Sequence, residues 1–520
     1  MEILLCFLGN RRISYPTYEN MKTELRDRLI AQMADFVAKN ALFEKEAPLL
    51  VAVSGGIDSV VLCDLLIAQG YKIAIAHCNF SLRGIESDQD QIWVEKFALK
   101  NRVPFFSKKF DTLQIIKEQK RKRKDNKEKK QTSIQVIARQ LRYQFFLEIL
   151  EKEKYQHLLT AHHQDDLMES LLLNLCKGTG IAGLRGILPK RPYPSSYFLN
   201  QDKSNLEVSN FYAEKNKYYL VRPLLFLNKS HILEYAKKYN LQWREDSSNQ
   251  TDKYRRNLIR HQVSPILHQV NEKAAAKFAH SAERAAEMEQ LFLQHYRFFY
   301  KKYVQKTKQF GQTLFKIQYQ GLQRSSAPAA ILYQLLKTKH FSYHTCQKIS
   351  NQIKSLQTPL LESLRFESKS HVFLLDKYEI ILYPKNSKSS FFVLEKANDK
   401  VIFFDKTIST SLISIEKFTA SFPAADAPLA LFDAAQISFP LHLRLWQAGD
   451  SFAPLGMKGR HKKVSDVLND LKISTFEKNN TWVLLSKGEI IWVVGKRISD
   501  LHKVLPTTQT LLAVRIEAEK

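Results

Sequence analysis

Residues 54–59 read Ser54-Gly55-Gly56-Ile57-Asp58-Ser59, directly after the apolar run Leu49-Leu50-Val51-Ala52-Val53. Two consecutive glycines let backbone N–H groups turn towards one point, and no Cβ obstructs an approaching anion. A helix opening at Ser59 and running over 60–69 would add the partial positive charge of its N-terminus. The pattern therefore predicts a phosphate cradle. It is not a Walker A loop, because no Gly-Lys-Ser/Thr follows. A second set of chemical groups lies in Thr160-Ala161-His162-His163-Gln164-Asp165-Asp166-Leu167-Met168-Glu169-Ser170. A helix from about Gln164 puts Asp166 and Glu169 three apart on one face, with His162 at the strand end before them. Two carboxylates beside a phosphate site can hold a cationic substrate or act through magnesium. Acids at a helix start also stabilise its dipole, and N-capping explains one of Asp165 and Asp166. It does not explain their pairing with His162 and Glu169. Zinc on His162-His163 is disfavoured, because neighbours on a strand point to opposite faces.

The elements that must position these groups follow from periodicity. An amphipathic helix is expected over 21–47, then strand 49–53, helix 60–69 and strand 72–77. Helix 88–101, strand 103–109, helix 133–153, strand 156–160 and helix 165–176 continue the alternation. Short apolar strands alternating with helices imply a parallel sheet covered on both faces. Ligands of such sheets bind at the carboxyl ends of the strands, where Ser54, His77 and Ala161–His163 should converge. Two segments interrupt the pattern. Residues 117–130 hold nine Lys or Arg against three acids and read as a solvated loop beside the sheet, or as a nucleic-acid contact. Residues 189–217 are Pro-, Ser- and Asn-rich and read as a surface loop or irregular hairpin. Long helix is expected over 271–307 and more helix over 320–357. Strand-type alternation follows from about 360, and a separate mixed unit covers 440–516.

The chain has 520 residues, with 79 Lys and Arg against 52 Asp and Glu, a formal charge of +27. Such an excess suits a polyanionic partner, most simply nucleic acid. The five cysteines, Cys6, Cys63, Cys78, Cys176 and Cys346, form no C-x-x-C pair. That argues against a disulfide framework, a zinc ribbon or an iron–sulfur site, and fits reduced cytoplasmic thiols. No apolar stretch is long enough to span a bilayer. Residues 3–8 are apolar but lack the flanks of a signal peptide.

The hexapeptide between strand and helix resembles the PP-loop of the ATP pyrophosphatases, which cut ATP between its α- and β-phosphates. Further segments make the resemblance specific to the tRNA(Ile)-lysidine synthetase family. They are His77-Cys78-Asn79-Phe80-Ser81-Leu82-Arg83 with Ser87 and Asp90, Ser133–Tyr143, and Thr160–Ser170. Lys177-Gly178-Thr179-Gly180 with Gly183, Leu184 and Gly186, and Arg222-Pro223-Leu224-Leu225, continue the series. Asp246-Ser247-Ser248-Asn249 with Arg256-Asn257-Leu258-Ile259-Arg260 closes it. Gly449–Gly456, Lys462-Lys463 and Trp492-Val493-Val494-Gly495 resemble the family's terminal domain.

The resemblance implies an α/β fold: a parallel-sheet PP-loop domain, then a helical middle region and a smaller mixed α/β C-terminal domain. The expected boundaries are an extension over 1–20, a catalytic domain over 21–262 and a helical tRNA-binding region over 263–358. A β-rich domain over 359–435 and a terminal domain over 436–520 follow. It implies ATP and magnesium as cofactors, and a CAU-anticodon isoleucine tRNA and free L-lysine as partners; a homodimer is compatible with it. Ser54, Gly55, Gly56, Ile57, Asp58 and Ser59 would bind ATP, with Asp58 near the pyrophosphate and its magnesium. His162, Asp166 and Glu169 would handle lysine, and Arg256 or Arg260 would stabilise developing phosphate charge. The family's second histidine after His77 is Phe80 here, and Lys478 stands where arginine is frequent. Ser87 and Asp90 also fit a helix capping box. Competing readings are a PP-loop cytidine thiolase, a GMP or NAD synthetase, and a non-catalytic RNA-binding protein with an inactive loop.

Overall fold

Leu49, Leu50 and Val51 are fully buried, which is what a strand covered on both faces requires. The structure, a computed structural model, describes residues 18–125, 134–193, 217–244, 255–309, 312–355, 363–376, 379–385, 391–403, 406–424 and 426–518. It divides into two compact units, Met1–Leu293 and Gln294–Lys520. The first runs α1 (Tyr18–Lys39), β1 (Leu49–Ala52), α2 (Ile57–Ala68), β2 (Ile73–Asn79), α3 (Ile85–Lys100), β3 (Phe105–Lys109) and α4 (Thr112–Asp125). Then come α5 (Ile134–Lys152), β4 (His157–Leu159), α6 (Gln164–Cys176), α7 (Ile181–Leu184), β5 (Lys190–Pro192), β6 (Tyr219–Val221) and α8 (Lys229–Lys238).

Its six-stranded sheet has the order β3-β2-β1-β4-β6-β5. All neighbours are parallel except the edge strand β5, which runs antiparallel to β6. Alternate residues of β1 serve opposite faces. Leu49 and Val51 pack with α1, α2 and α8, through Leu29, Met33, Leu62 and Tyr235. Leu50 packs with α5, through Phe146 and Leu150. These two cores hold the carboxyl ends of β1, β4 and β6 in register, Val51 beside Leu159 and Leu159 beside Val221.

Several expectations are corrected. The first helix ends at Lys39, not 47: Ala41 adopts φ +44, and Ala47 closes a turn on the Glu44 carbonyl. The basic run is not a loop throughout. Helix α4 continues through it to Asp125, anchored by buried Thr112 and Ile116, and 126–133 lie outside the described residues. The long helix ends at Tyr303, and the chain turns back as a hairpin of β7 (Val304–Gln309) and β8 (Gln312–Ile317). The helical stretch after 320 is three helices, Tyr319–Gln323, Pro328–Leu336 and Tyr343–Ser355.

In the second unit β7 and β8 join β9 (Leu364–Glu367), β10 (His371–Leu375) and β11 (Ile380–Pro384) in the order β7-β8-β11-β10-β9. Two further antiparallel sheets, built between Phe391 and Ala518, share a core around Phe432, Trp482, Trp492 and Val514. Buried Asp376 ties the two parts of this unit. It accepts hydrogen bonds from Ser363 Oγ (2.5 Å) and from the Thr475 N–H (3.0 Å), while the Phe476 ring packs on Tyr383. No helix among the described residues is long and apolar enough to cross a membrane.

Candidate active site

The glycine loop follows β1 directly. Gly55 takes φ +93, Gly56 is the N-cap residue, and α2 begins at Ile57, three residues earlier than the pattern predicts. Asp58 and Ser59 therefore lie in its first turn, where the helix dipole is strongest. The Gly56 N–H donates to Ser54 Oγ (3.3 Å) and Ser59 Oγ donates to the Gly56 carbonyl (2.8 Å). The loop is buttressed from behind. The Gly55 carbonyl accepts the Arg244 N–H (2.9 Å), and Arg244 Nε donates to Asp90 (2.7 Å), which also takes Arg83 (2.6 Å). Asp90 is thus a buried ion-pair hub and not half of a capping box; Gly84 is the N-cap of α3, and Ser87 Oγ accepts the Arg83 N–H. His77 is buried within β2 with Nδ1 on the Val53 carbonyl (2.8 Å), so it supports the loop from below.

At Gly55 a Cβ would meet Val94 at an ordinary 3.5 Å, so space is not the constraint; the positive φ is. Gly55→Ala is expected to cost about 1–2 kcal/mol through backbone strain. Urea unfolding measures that loss, and ATP affinity should fall with it. An unchanged midpoint would contradict the strained-loop description.

The second half of the site is assembled by α6. His163 is its N-cap, and the His163 N–H donates to Asp166 Oδ2 (3.1 Å), so Asp166 does cap the helix. Its other oxygen receives Arg256 Nη2 (2.8 Å) and Arg260 Nη2 (3.2 Å). Glu169, only 2 % exposed, receives Arg256 Nε (2.7 Å) and Arg260 Nε (2.6 Å). Two carboxylates and two guanidiniums thus form a closed square. Asp165 faces the other way, taking the Lys229 N–H (2.8 Å) and His268 Nε2 (2.9 Å).

The two histidines lie beyond the end of β4 at Leu159, not on a strand, and they make different contacts. His162 pairs with the Thr160 hydroxyl through Nδ1 (2.9 Å). His163 lies between the acids: Nε2 is 3.5 Å from Asp166 and 3.9 Å from Asp58, and Nδ1 is 3.5 Å from Asp165. Asp58 is also ion-paired with the Lys229 ammonium. His163 is therefore the physical link between the phosphate loop and the acid pair.

Burial lowers His162 to about 3; Asp166 opposes this in part, but Arg222 and Arg256 add to the lowering, so the imidazole is neutral at neutral pH. Burial also opposes charge on His163, but Asp166, Asp165 and Asp58 outweigh it and raise its pKa. Burial likewise works against the Asp166 charge; His163, His162 and Arg256 prevail and hold it at about 2. A raised histidine stabilises the fold fully below its unfolded pKa of about 6.5 and ceases to do so as pH rises through the folded value. The depressed Asp166 acts oppositely, its contribution fading as pH falls from about 4 to 2. Urea midpoints of the parent chain should therefore drop more steeply above pH 6.5 than those of His163→Gln. Parallel curves would contradict a charged His163.

Of the residues expected at the site, Ser54, Gly55, Gly56, Ile57, Asp58 and Ser59 form the loop and helix start, and Asp166, Glu169 and Arg256 make direct contact. His162 sits beside them but touches neither carboxylate among the recorded hydrogen bonds. Asp246–Asn249 lie outside the described residues. Periodicity did not single out His163, Lys229, Arg244 or His268. His163 had a signal in the His-His-Gln-Asp-Asp string; Lys229 opens a helix 171 residues from Asp58 and had none.

Three family models match the chain. One described as a PP-loop domain covers residues 25–267, a TilS substrate binding domain covers 311–385, and a TilS substrate C-terminal domain covers 441–516. The tRNA(Ile)-lysidine synthase of Parabacteroides distasonis is 34% identical over 487 residues, spanning 92% of this chain and 98% of the relative. That of Bacteroides thetaiotaomicron is 30% identical over 483 residues, again 92% and 98%. Among solved structures, a U34-tRNA thiolase from Methanococcus maripaludis is 16% identical over 50% of this chain and 80% of its own, with a TM-score of 0.37.

Proposed function

Because the chain belongs to the tRNA(Ile)-lysidine synthase family, we propose that it joins free L-lysine to C2 of the wobble cytidine, position 34, of a CAU-anticodon isoleucine tRNA. In the first step the cytidine O2 attacks the α-phosphorus of ATP and pyrophosphate leaves. In the second the lysine ε-nitrogen attacks C2, AMP leaves with that oxygen, and the amine loses a proton. The tRNA then reads AUA instead of AUG.

The chemistry divides between the two halves of the site. The backbone of Ser54–Ser59 and the N-terminus of α2 cradle the ATP phosphates. Asp58 fits a magnesium ion as well as an ammonium: Oδ1 is engaged by Lys229, and Oδ2 has no partner among the described residues. Bound there, magnesium would neutralise phosphate charge as pyrophosphate departs. Asp166 and Glu169 bind the lysine ammonium, and neutral His162 lies next to them as an acceptor for its proton. Both carboxylates are already satisfied by Arg256 and Arg260, so an incoming ammonium must displace at least one guanidinium. A displaced arginine can then meet the phosphate charge that develops at the adenylate. The matched substrate-binding and C-terminal domains, with the +27 charge, support tRNA as the polyanion.

The observation that carries the reading is the single imidazole, His163, within 3.9 Å of Asp58 on the loop and 3.5 Å of Asp166 in the acid pair. Activation and acceptance of the nucleophile thereby share one crevice. The test is incubation with ATP, labelled lysine and a CAU-anticodon tRNA, followed by nucleoside analysis. Label in a modified cytidine is expected. No incorporation, or equal incorporation after Asp58→Ala, would sink the assignment.

A further inference from the structure

Arg222 follows β6 at the carboxyl end of the sheet and is 6 % exposed. Its Nη1 donates to the Leu188 carbonyl (2.6 Å), but its buried Nε has no hydrogen-bond partner, and neither has the buried Nε of Arg191 on β5. The groups that act on the Arg222 charge are Arg191 and Arg139, which oppose it, and Tyr143. Arg139, Arg142, Arg191 and Arg222 make no ion pair among the described residues, whereas Arg256 and Arg260 are fully paired. A guanidinium cannot escape burial by shedding its proton at neutral pH. Burial of such a charge without a partner is costly, so its retention calls for an anion that arrives later.

The surroundings indicate which anion. β6 stands two strands from β1 in the sheet, about 10 Å away at ordinary strand spacing, so the cluster lies beyond the phosphate loop. It also sits with α5, on the opposite face from α2: Leu220 packs with Tyr143 and Phe146, and Arg139 and Tyr143 belong to α5. Two guanidiniums there lie over aromatic rings, Arg139 on Tyr143 (5.0 Å) and Arg142 on Phe80 (5.1 Å). Paired guanidinium and aromatic planes suit unstacked single-stranded RNA. His162, which feels Arg222, joins this cluster to the acid square.

We propose that Arg222, Arg191 and Arg139 form a subsite for a backbone phosphate of the RNA strand beside the target cytidine, holding the splayed anticodon against the acceptor half of the site. This inference rests on the tRNA substrate proposed above. The subsite fixes position and not sequence, since phosphate contacts carry no base information.

The test compares Arg222→Met, which keeps volume and removes charge, with Arg139→Gln at an exposed position. Loss of a charge-assisted phosphate contact should raise the tRNA Kd about tenfold for Arg222→Met, and about threefold for Arg139→Gln. The slope of log affinity against log salt should shrink by about one. KM for ATP and for lysine should stay within about twofold. The melting temperature of Arg222→Met should hold or rise, because an unpaired buried charge has been removed. Unchanged tRNA affinity in both variants overturns the proposal. So does a rise in KM for ATP or lysine in place of the tRNA effect, which would assign the cluster to the nucleotide or to an amino-acid carboxylate. Should the parent chain bind tRNA yet incorporate no lysine, the catalytic reading fails while the binding ratios still decide the subsite.

Discussion

Glu169→Gln is expected to slow lysine transfer by about a thousandfold while changing pyrophosphate release less than about tenfold. Glu169 is nearly inaccessible and is gripped by both Arg256 and Arg260. With Asp166 it balances two guanidiniums by two carboxylates. Removing one negative charge leaves the square net positive, so it repels the ammonium that the second step must admit. The same change breaks a buried ion pair. Because both guanidiniums keep more than a third of their side-chain surface in solvent, the cost should fall at the low end for such pairs, about 3 kcal/mol. Single-turnover assays separate the two steps, and urea unfolding reports the stability. Equal slowing of both steps would place Glu169 in activation and contradict its role with the amine.

Asp58→Asn should have the converse signature. Pyrophosphate release should fall about 10²–10³-fold, with tRNA affinity unchanged. Asp58 sits in the first turn of α2, pairs with Lys229 and lies near His163, so its charge holds Lys229 and His163 at the phosphate end. Lys229→Met should produce a related but smaller loss. The double variant should be less impaired than the product of the singles, because the two side chains act as one unit. Multiplicative losses would mean that the ion pair has no bearing on activation.

How much of this was legible in sequence depends on the range of each interaction. The parallel sheet was readable because strands buried on both faces are mostly apolar runs: β1 is apolar throughout, β2 is so from Ile73 to Ala76, and β4 is so at Leu158 and Leu159. The phosphate loop was readable because adjacent glycines between strand and helix serve few other ends. The Asp166–Glu169 pairing was visible as an i, i+3 spacing on α6. What occupies those carboxylates was not: Arg256 and Arg260 arrive from about ninety residues away, with no periodicity to announce them. Lys229 is hidden in the same way. Local misreadings have local causes. The Lys-rich run before residue 126 looked like a loop because like charges repel, but Thr112 and Ile116 dock the helix and it propagates outward. The strand Val304–Gln309 carries mostly Gln, Lys and Thr, so no apolar alternation marked it.

The most direct measurement is pyrophosphate release with each component omitted in turn. Activation of the RNA predicts that release needs ATP and CAU-anticodon tRNA but proceeds without lysine, and that adding lysine liberates AMP. Release that requires lysine and proceeds without tRNA would mean that the amino acid, not the cytidine, is adenylated, and would contradict the shared-crevice mechanism built on Asp58, His163 and Asp166.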